Sequence, residues 1–175
     1  IMESVEGGPL NVVDLGCGTG ILGIGAFLLG AKKIIFVDVD ENALKICRAN
    51  IEGLEEAGES TVKENITKKV EIINSDVNDF ENMDSKIKCD TIIMNPPFGT
   101  KNEHADKVFL ESAFRLSKVI YSFHKSSTEK FVKAFCKDNK KEITHTFRFN
   151  YPLVQTYAHH TRKMKYIDVS AFRIE

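Results

Sequence analysis

A glycine-rich loop between an apolar strand and an apolar helix most limits how this chain can fold. Residues 11–15 predict a short strand, the loop Gly16-Cys17-Gly18-Thr19-Gly20 follows it, and residues 21–29 predict a buried helix. Glycines let a backbone turn sharply and approach a ligand closely, and the amides at a helix start carry partial positive charge. The order of strand, glycine loop and helix therefore predicts a ligand-binding turn in a doubly wound α/β fold.

The spacing of the glycines indicates which ligand the loop suits. A dinucleotide loop has Gly-x-Gly-x-x-Gly, but here the third glycine is Gly20 and Ile21 occupies the expected position. The loop has no cationic residue, and Asp14 precedes its first glycine by two positions. A carboxylate at the mouth of the loop suits a positively charged or zwitterionic ligand better than a pyrophosphate. The residues that we expect to bind it are Asp14, Gly16, Gly18, Thr19, Gly20 and Ile21.

Two further carboxylates follow predicted strands. Asp38 ends the strand over residues 33–37, where doubly wound folds hold a ribose diol. The alternative is a helix N-cap, but Asp40 directly precedes the next helical pattern and suits that role better. Asp76 follows the strand over residues 70–74 and is placed to accept from an adenine amino group, with Val77 packing on the ring. Its alternative role is an Asx-turn.

The tetrapeptide Asn95-Pro96-Pro97-Phe98 follows the apolar run 91–94 and so lies at the exit of a buried strand. Two prolines fix φ and keep Asn95 extended, with its amide presented rigidly. A planar group with an exocyclic amine fits such a turn, because the amine can donate to the Asn95 oxygen and the Pro96 carbonyl while its ring stacks on Phe98. The simpler alternative is a proline-capped strand end followed by an incidental phenylalanine.

The order of predicted elements gives the fold class. Five alternations of apolar strand and helix are followed by two adjacent strands, over residues 143–149 and 165–173. This order predicts an α/β fold with a seven-stranded, mostly parallel Rossmann-like sheet, a C-terminal antiparallel hairpin and helices on both faces. We expect one domain over residues 1–175. The glycine loop, Asp38, Asp76, Asn95 and His124 all follow predicted strands, so their side chains should meet at one edge of the sheet.

Composition narrows the class of protein further. A net charge of −1 predicts neither a nucleic-acid binder nor a binder of acidic partners. The four cysteines contain no Cys-x-x-Cys pair, which argues against a metal site and a disulfide framework and favours an intracellular, reducing compartment. No apolar stretch approaches the roughly 20 residues of a membrane helix. Only about ten residues precede the first strand, and we expect a further N-terminal segment before them.

Basic residues near the predicted site are candidate RNA contacts. The loop over residues 159–165 concentrates positive charge, and a solvated loop is its default interpretation. For His124, at the end of the fifth strand, a supporting hydrogen bond is the favoured role. The candidate substrate-binding residues are Lys101, His124, Lys125, His160, Arg162 and Lys163.

The chain resembles the class I S-adenosylmethionine-dependent methyltransferases over nearly its whole length. Residues 14–20 match their cofactor loop, Asp38 and Asp76 their ribose and adenine carboxylates, and Asn95-Pro96-Pro97-Phe98 the signature of those that methylate a planar amide or exocyclic nitrogen. More closely, residues 93–101 and 121–127 resemble the methyltransferase-like enzymes that modify one adenine of small-subunit ribosomal RNA. The resemblance implies S-adenosylmethionine as cofactor, catalytic roles for residues 95–98, and a location in the nucleus, nucleolus and cytoplasm.

The resemblance also implies a partner, and it leaves alternatives. A small zinc-containing activator protein accompanies enzymes of that family, and strand addition at the edge strand Val70–Asn74 would bury the apolar side chains there. Two features depart from the family: its upstream segment with a Gln-Tyr-Pro-Thr stretch is missing, and residues 55–69 form a longer loop than expected. Two other functions remain compatible, namely a protein glutamine-N5 methyltransferase acting on a release factor and a silent cofactor-binding scaffold subunit.

Overall fold

The structure, a computed structural model, describes residues 10–56, 66–79, 89–97, 105–154 and 164–175. They form one seven-stranded sheet in the order β3-β2-β1-β4-β5-β7-β6. Strands β1 to β5 pair in parallel, and β7 runs antiparallel to both β5 and β6. The strands are β1 (Asn11–Leu15), β2 (Lys33–Asp38), β3 (Val70–Asn74), β4 (Thr91–Met94), β5 (Val119–Lys125), β6 (Ile143–Val154) and β7 (Met164–Ile174).

Helices cover both faces of the sheet, as the sequence predicts. The helices are α1 (Ile21–Leu28), α2 (Glu41–Glu56), α3 (Ala105–Leu116) and α4 (Glu129–Asp138). On one face, α1 and α2 pack on Val12, Ile34 and Phe36. On the other, Leu110 of α3 and Val132 of α4 pack among side chains from β1, β2 and β4. Because β1, β2 and β4 are buried on both faces, their sequences are almost continuously apolar.

The C-terminal hairpin is longer than predicted. β6 continues to Val154 instead of ending at Phe149, and its residue Pro152 pairs with Tyr166 of β7. A proline inside a strand usually argues against extending that strand. β6 is an edge strand, however, and the missing N–H of a proline is tolerated at a sheet edge. The hairpin therefore extends past Lys125, the last residue of β5, which pairs with Val169.

Residues 55–69 are also more ordered than the predicted loop where the structure describes them. α2 continues to Glu56, and a 3₁₀ turn, Ile66–Lys69, precedes β3. Ile66 is only 1% exposed and belongs to the core on the α1 and α2 face. Val62 and Ile66 are the only large apolar residues in this polar stretch, too few to show a periodicity, which explains why the sequence did not reveal this turn.

Two observations bear on interactions with other molecules. β3 lies at an edge of the sheet, as predicted, and pairs with β2 on its inner side. Within the parts of the chain that the structure describes, no helix is both long and apolar enough to cross a membrane.

Two glycines of α1 should respond oppositely to substitution by alanine. A Cβ at Gly23 would overlap with the ring of Phe36, whereas a Cβ at Gly25 meets nothing within 4 Å. Gly23→Ala should therefore lower the free energy of unfolding by about 1–3 kcal/mol, because it overpacks the α1–β2 contact. Gly25→Ala should raise it by about 0.5–1 kcal/mol, because alanine favours the helix. Urea unfolding of both variants measures this, and equal effects would contradict the packing of α1 on β2.

Candidate active site

The carboxyl ends of β1, β2, β3 and β4, together with one residue of α3, surround a cavity of about 370 Å³. Cavities of this size hold small molecules in many proteins. The described residues that line it are Gly16, Val37, Asp38, Val39, Ser75, Asp76, Val77, Asn95, Pro97 and Phe109. The structure therefore brings together the first loop glycine, both predicted strand-end carboxylates and the asparagine–proline turn.

Hydrogen bonds to the end of β2 hold the glycine loop in place. The amides of Gly16 and Cys17 both donate to the carbonyl of Val37, at 2.8 and 3.0 Å. Gly16 and Gly20 adopt φ of 71° and 86°, which residues with a side chain rarely adopt. The glycines thus allow the chain to leave β1, cross to β2 and enter α1 within a few residues.

Asp38 lines the cavity and also supports the loop. Its Oδ2 accepts from the Gly18 amide at 2.7 Å, and its Oδ1 accepts from the Asp40 amide at 2.9 Å. Asp40 caps α2, accepting from the amides of Asn42 and Ala43 at 2.8 and 3.3 Å, which confirms the predicted N-cap. Because each carboxylate oxygen has a second lone pair, Asp38 can still accept from hydroxyl groups. Ribose binding by Asp38 stays a prediction.

Asp76 forms the Asx-turn that was its alternative role, and it lines the cavity as well. Its Oδ1 accepts from the backbone amide and the side-chain Nδ2 of Asn78, both at 2.8 Å. The turn holds the carboxylate in the wall beside Val77. The two roles are therefore compatible, and adenine binding by Asp76 and Val77 stays a prediction.

Asp14 does not lie at the mouth of the loop, and that expectation was wrong. The residue is 1% exposed, and its Oδ2 accepts from the Gly23 amide at 2.8 Å. Burial raises its pKa to about 7, and the negative charge of Asp38 adds to the rise. The carboxyl group of Asp14 therefore holds the first turn of α1 from inside the protein instead of lining the cavity.

Four other predicted loop residues also lie outside the described cavity wall. Gly20 is buried, and a Cβ there would come within 2.5 Å of the Cys47 Sγ. Thr19 is exposed and accepts from the Asn50 side chain through its carbonyl, and Ile21 is 74% exposed. Gly18 donates its amide to Asp38, and a Cβ there would meet nothing within 4 Å. The loop therefore approaches the cavity through Gly16, with Gly18 tied to the cavity carboxylate.

The predicted catalytic turn lies at the cavity. Asn95 is exposed and lines the wall with Pro97, while Pro96 between them is buried. Phe98, the last member of the tetrapeptide, lies outside the described residues. Asn95 therefore lines the same cavity as Gly16, and its catalytic role stays a prediction.

His124 is buried instead of facing a substrate. It is 2% exposed, its Nε2 lies 2.6 Å from the Ser122 Oγ, and its ring contacts that of Phe172. Burial lowers its pKa to about 4, so the imidazole is neutral at physiological pH. The burial of His124 contradicts a direct RNA contact. Its hydrogen bond runs to Ser122, outside the described cavity wall, so a role in supporting the site stays a prediction.

None of the other candidate RNA contacts is among the described residues of the cavity wall. Lys125 is half-buried at the end of β5 and does not line the cavity. The remaining candidates, Lys101, His160, Arg162 and Lys163, lie outside the described residues.

The sequence did not identify several residues of the cavity wall. Val39 and Ser75 are neighbours of predicted site residues, and their strand-end positions were a usable signal. Phe109 has the spacing of a helix core residue, yet a Cβ on Gly16 would come within 2.5 Å of its Cε1. Only the sheet order, which puts α3 beside β1, brings this ring to the site.

The wall has the chemistry of a nucleoside site. The described lining contains two carboxylates, one amide and several apolar side chains, with no Lys or Arg among them. Carboxylates accept from ribose hydroxyls and from an adenine amine, whereas a phosphate would be repelled. The residues present therefore fit a nucleoside that carries positive charge.

Comparisons with known proteins match this chain to methyltransferases. Residues 1–95 match the family model described as ribosomal protein L11 methyltransferase (PrmA). The rRNA N(6)-adenosine-methyltransferase METTL5 of Danio rerio is 36% identical over 93% of this chain and 73% of its own length. The corresponding Drosophila melanogaster protein, Mettl5, is 33% identical over 99% of this chain and 76% of its own.

Solved structures show the same likeness. The crystal structure of PH1948 from Pyrococcus horikoshii, provisionally assigned as an RNA methyltransferase, has a TM-score of 0.76 and 34% identity. The alignment covers 99% of this chain and 76% of the PH1948 chain. M. capricolum TrmK, solved with S-adenosyl-homocysteine, shares the fold at a TM-score of 0.66 and 13% identity, and the alignment covers 100% of this chain and 69% of that one.

The raised pKa of Asp14 predicts how stability depends on pH. The native protein holds this proton more tightly than the unfolded chain, so the contribution of Asp14 to stability falls as pH rises from about 4 to about 7. Asp14→Asn keeps an oxygen for the Gly23 amide and removes the titration. Relative to this variant, the wild type should lose up to about 4 kcal/mol of unfolding free energy between about pH 4 and pH 8.

Urea unfolding across this pH range, without ligand, measures the difference. Asp79→Asn, at an exposed aspartate, is the matched control and should keep the wild-type pH dependence. Parallel pH profiles for wild type and Asp14→Asn would show that Asp14 has the same pKa in the native and unfolded protein and would contradict the raised pKa.

Proposed function

Because the chain belongs to the METTL5-like rRNA N(6)-adenosine methyltransferase family of class I S-adenosylmethionine-dependent enzymes, we propose that it methylates the N6 amine of an adenine in small-subunit ribosomal RNA. The observation that carries the proposal is the position of Asn95 in the wall of the cavity that Gly16, Asp38 and Asp76 also line. An amide suited to a planar amine and the carboxylates suited to a nucleoside thus share one space.

The residues that would hold the cofactor are those of the cavity wall. Asp38 would accept from the ribose hydroxyls, and Asp76 with Val77 would bind the adenine. S-adenosylmethionine supplies, when bound, an electrophilic methyl group on a positively charged sulfur. The backbone of the glycine loop, fixed to Val37 and Asp38, gives the cofactor a rigid support.

The turn at the end of β4 would prepare the acceptor amine. The adenine N6 lone pair is delocalised into the ring, which makes the amine a poor nucleophile. Hydrogen bonds from the amine to the Asn95 oxygen and the Pro96 carbonyl would draw the nitrogen toward tetrahedral geometry and free its lone pair. Positioning and electrostatics would then supply the rate, without a strong general base. Phe98 would stack on the extruded base.

The C-terminal hairpin supports an RNA substrate. Its strands pair as far as Val154 and Met164, beyond the carboxyl end of β5. Both strand ends lie at the edge of the sheet where Asn95 lies, and in the sequence residues 155–163, with His160, Arg162 and Lys163, stand between them. Together with Lys101, they would contact RNA phosphates. A ribosomal RNA substrate would place the protein in the nucleus, nucleolus and cytoplasm.

The likeness to a protein methyltransferase does not favour a protein substrate. The match to the ribosomal protein L11 methyltransferase model ends at Asn95. It therefore covers the glycine loop, Asp38 and Asp76, which are the proposed cofactor-binding residues, and not the rest of the chain. A glutamine side chain nevertheless presents the same planar NH₂ group to Asn95. Methylation of purified ribosomal RNA, compared with methylation of a release factor, distinguishes the two substrates. A silent scaffold would methylate neither.

Substitution of Asn95 tests the catalytic assignment. Asn95→Ala should abolish methyl transfer to ribosomal RNA and leave cofactor affinity nearly unchanged, because the amide holds the acceptor. Asn150→Ala, an exposed asparagine on β6, is the matched control and should keep wild-type turnover. Transfer of radiolabelled methyl groups, followed by nucleoside analysis of separated ribosomal subunits, measures the outcome. Wild-type turnover of Asn95→Ala would refute the assignment, and N6-methyladenosine in large-subunit RNA alone would correct the substrate.

We also propose that a small zinc-containing activator adds a strand to β3. β3 lies at a sheet edge, and its side chains Val70, Ile72 and Ile73 remain partly exposed. An unpaired edge with apolar side chains is a site for strand addition, which would complete the hydrogen bonding and bury these side chains.

Hydrogen exchange tests this partner site within one protein. Binding of the activator should slow exchange of the Val70–Asn74 amides, because they gain hydrogen bonds. The other edge strand, β6, is the internal control and should exchange at an unchanged rate. Protection confined to β6, or a protein that is monomeric and fully active alone, would contradict the proposal.

A further inference from the structure

Phe109 is the one aromatic side chain among the described residues of the cavity wall. One edge of its ring lies against Gly16 of the glycine loop. The position that a Cβ would take on Gly16 lies 2.5 Å from its Cε1, 3.0 Å from its Cζ and 3.7 Å from its Cδ1. The absence of a side chain at Gly16 thus lets a flat apolar ring reach the cavity.

A hydrogen bond joins α3 to the segment that follows β3 at the cavity. Ser112, one turn after Phe109, donates its hydroxyl to the Val77 carbonyl at 3.1 Å. Phe109 and Val77 also pack against the same core. The ring is therefore held between the first loop glycine and the segment that contains Asp76.

We propose that Phe109 binds the cofactor by stacking its ring on the adenine. Adenine needs an apolar wall for its face and polar partners for its edge. Phe109 supplies the first, and Val39, which is 66% exposed at the cavity, adds apolar surface. Asp76 supplies the second, since its Oδ1 forms the Asx-turn and its Oδ2 has no hydrogen bond among the described residues. The inference rests on the cofactor of the proposed function and is independent of the RNA substrate.

Affinities for three ligands test this assignment. Phe109→Leu keeps an apolar side chain and removes the flat ring. Its dissociation constants for adenosine, S-adenosyl-homocysteine and S-adenosylmethionine should all rise by the same factor, about five- to tenfold. Phe114→Leu is the matched control, because Phe114 lies on α3 outside the described cavity wall and stacks on Phe135. Its dissociation constants should change less than about twofold.

Fluorescence supplies a second measurement, because the chain contains no tryptophan. Phe109→Trp places one indole at the proposed stacking position, and all three ligands should quench it to a similar extent. Phe114→Trp should show no quenching. This variant keeps a flat ring and decides the question if Phe109→Leu does not fold, which thermal unfolding reveals.

The outcomes separate the possible positions of the ring. Weakened binding or quenching with S-adenosylmethionine alone would place the ring beside the charged sulfur and overturn the inference. Unchanged affinities and no quenching would leave Phe109 as a packing residue for Gly16 and also overturn it. A protein with the expected affinities that leaves every RNA adenine unmethylated would keep this inference and end the proposed function.

Discussion

The connection between the glycine loop and the end of β2 is the contact on which the site depends. One carbonyl, that of Val37, accepts from two loop amides, and the carboxylate of Asp38 accepts from a third. These bonds fix the loop, the cavity carboxylate and the start of α2 relative to one another. Because they involve backbone atoms of buried strands, the cavity is shaped before a ligand arrives, which lowers the ordering cost of binding.

This arrangement concentrates negative charge behind the loop. Asp38 is held at the cavity, and Asp14 is buried nearby, where desolvation and the charge of Asp38 both raise its pKa. A positive charge in the cavity would stabilise both carboxylates and lower that pKa. The preference for a positively charged ligand therefore rests on Asp38 and Asp76 at the cavity, and Asp14, which is buried, does not contact the ligand directly.

Local signals predicted most of the fold, and nonlocal packing decided what they missed. The glycines of the loop and the prolines after Asn95 act on their own backbone, so their positions in the sequence suffice. His124 has the strand-end position of a site residue, yet Ile120, Ser122 and His124 alternate on the buried face of β5. The sequence did not reveal this burial, because Val119, Tyr121 and Phe123 make the opposite face of β5 the more apolar one. Phe109 gave no signal either, because its place at the cavity depends on where α3 crosses the sheet.

The protein methyltransferase model matches the chain only as far as Asn95, and the chemistry of methyl transfer explains this limit. Enzymes that share a methyl donor need the same loop and carboxylates, whatever molecule they modify, and the match to a protein methyltransferase model covers residues 1–95. The likeness to the RNA methyltransferases continues through the rest of the chain. Asn95 and the two prolines present hydrogen-bond acceptors that suit any planar NH₂ group. We therefore expect discrimination between an adenine and a glutamine to depend on the segments after the turn, which the protein methyltransferase model does not match.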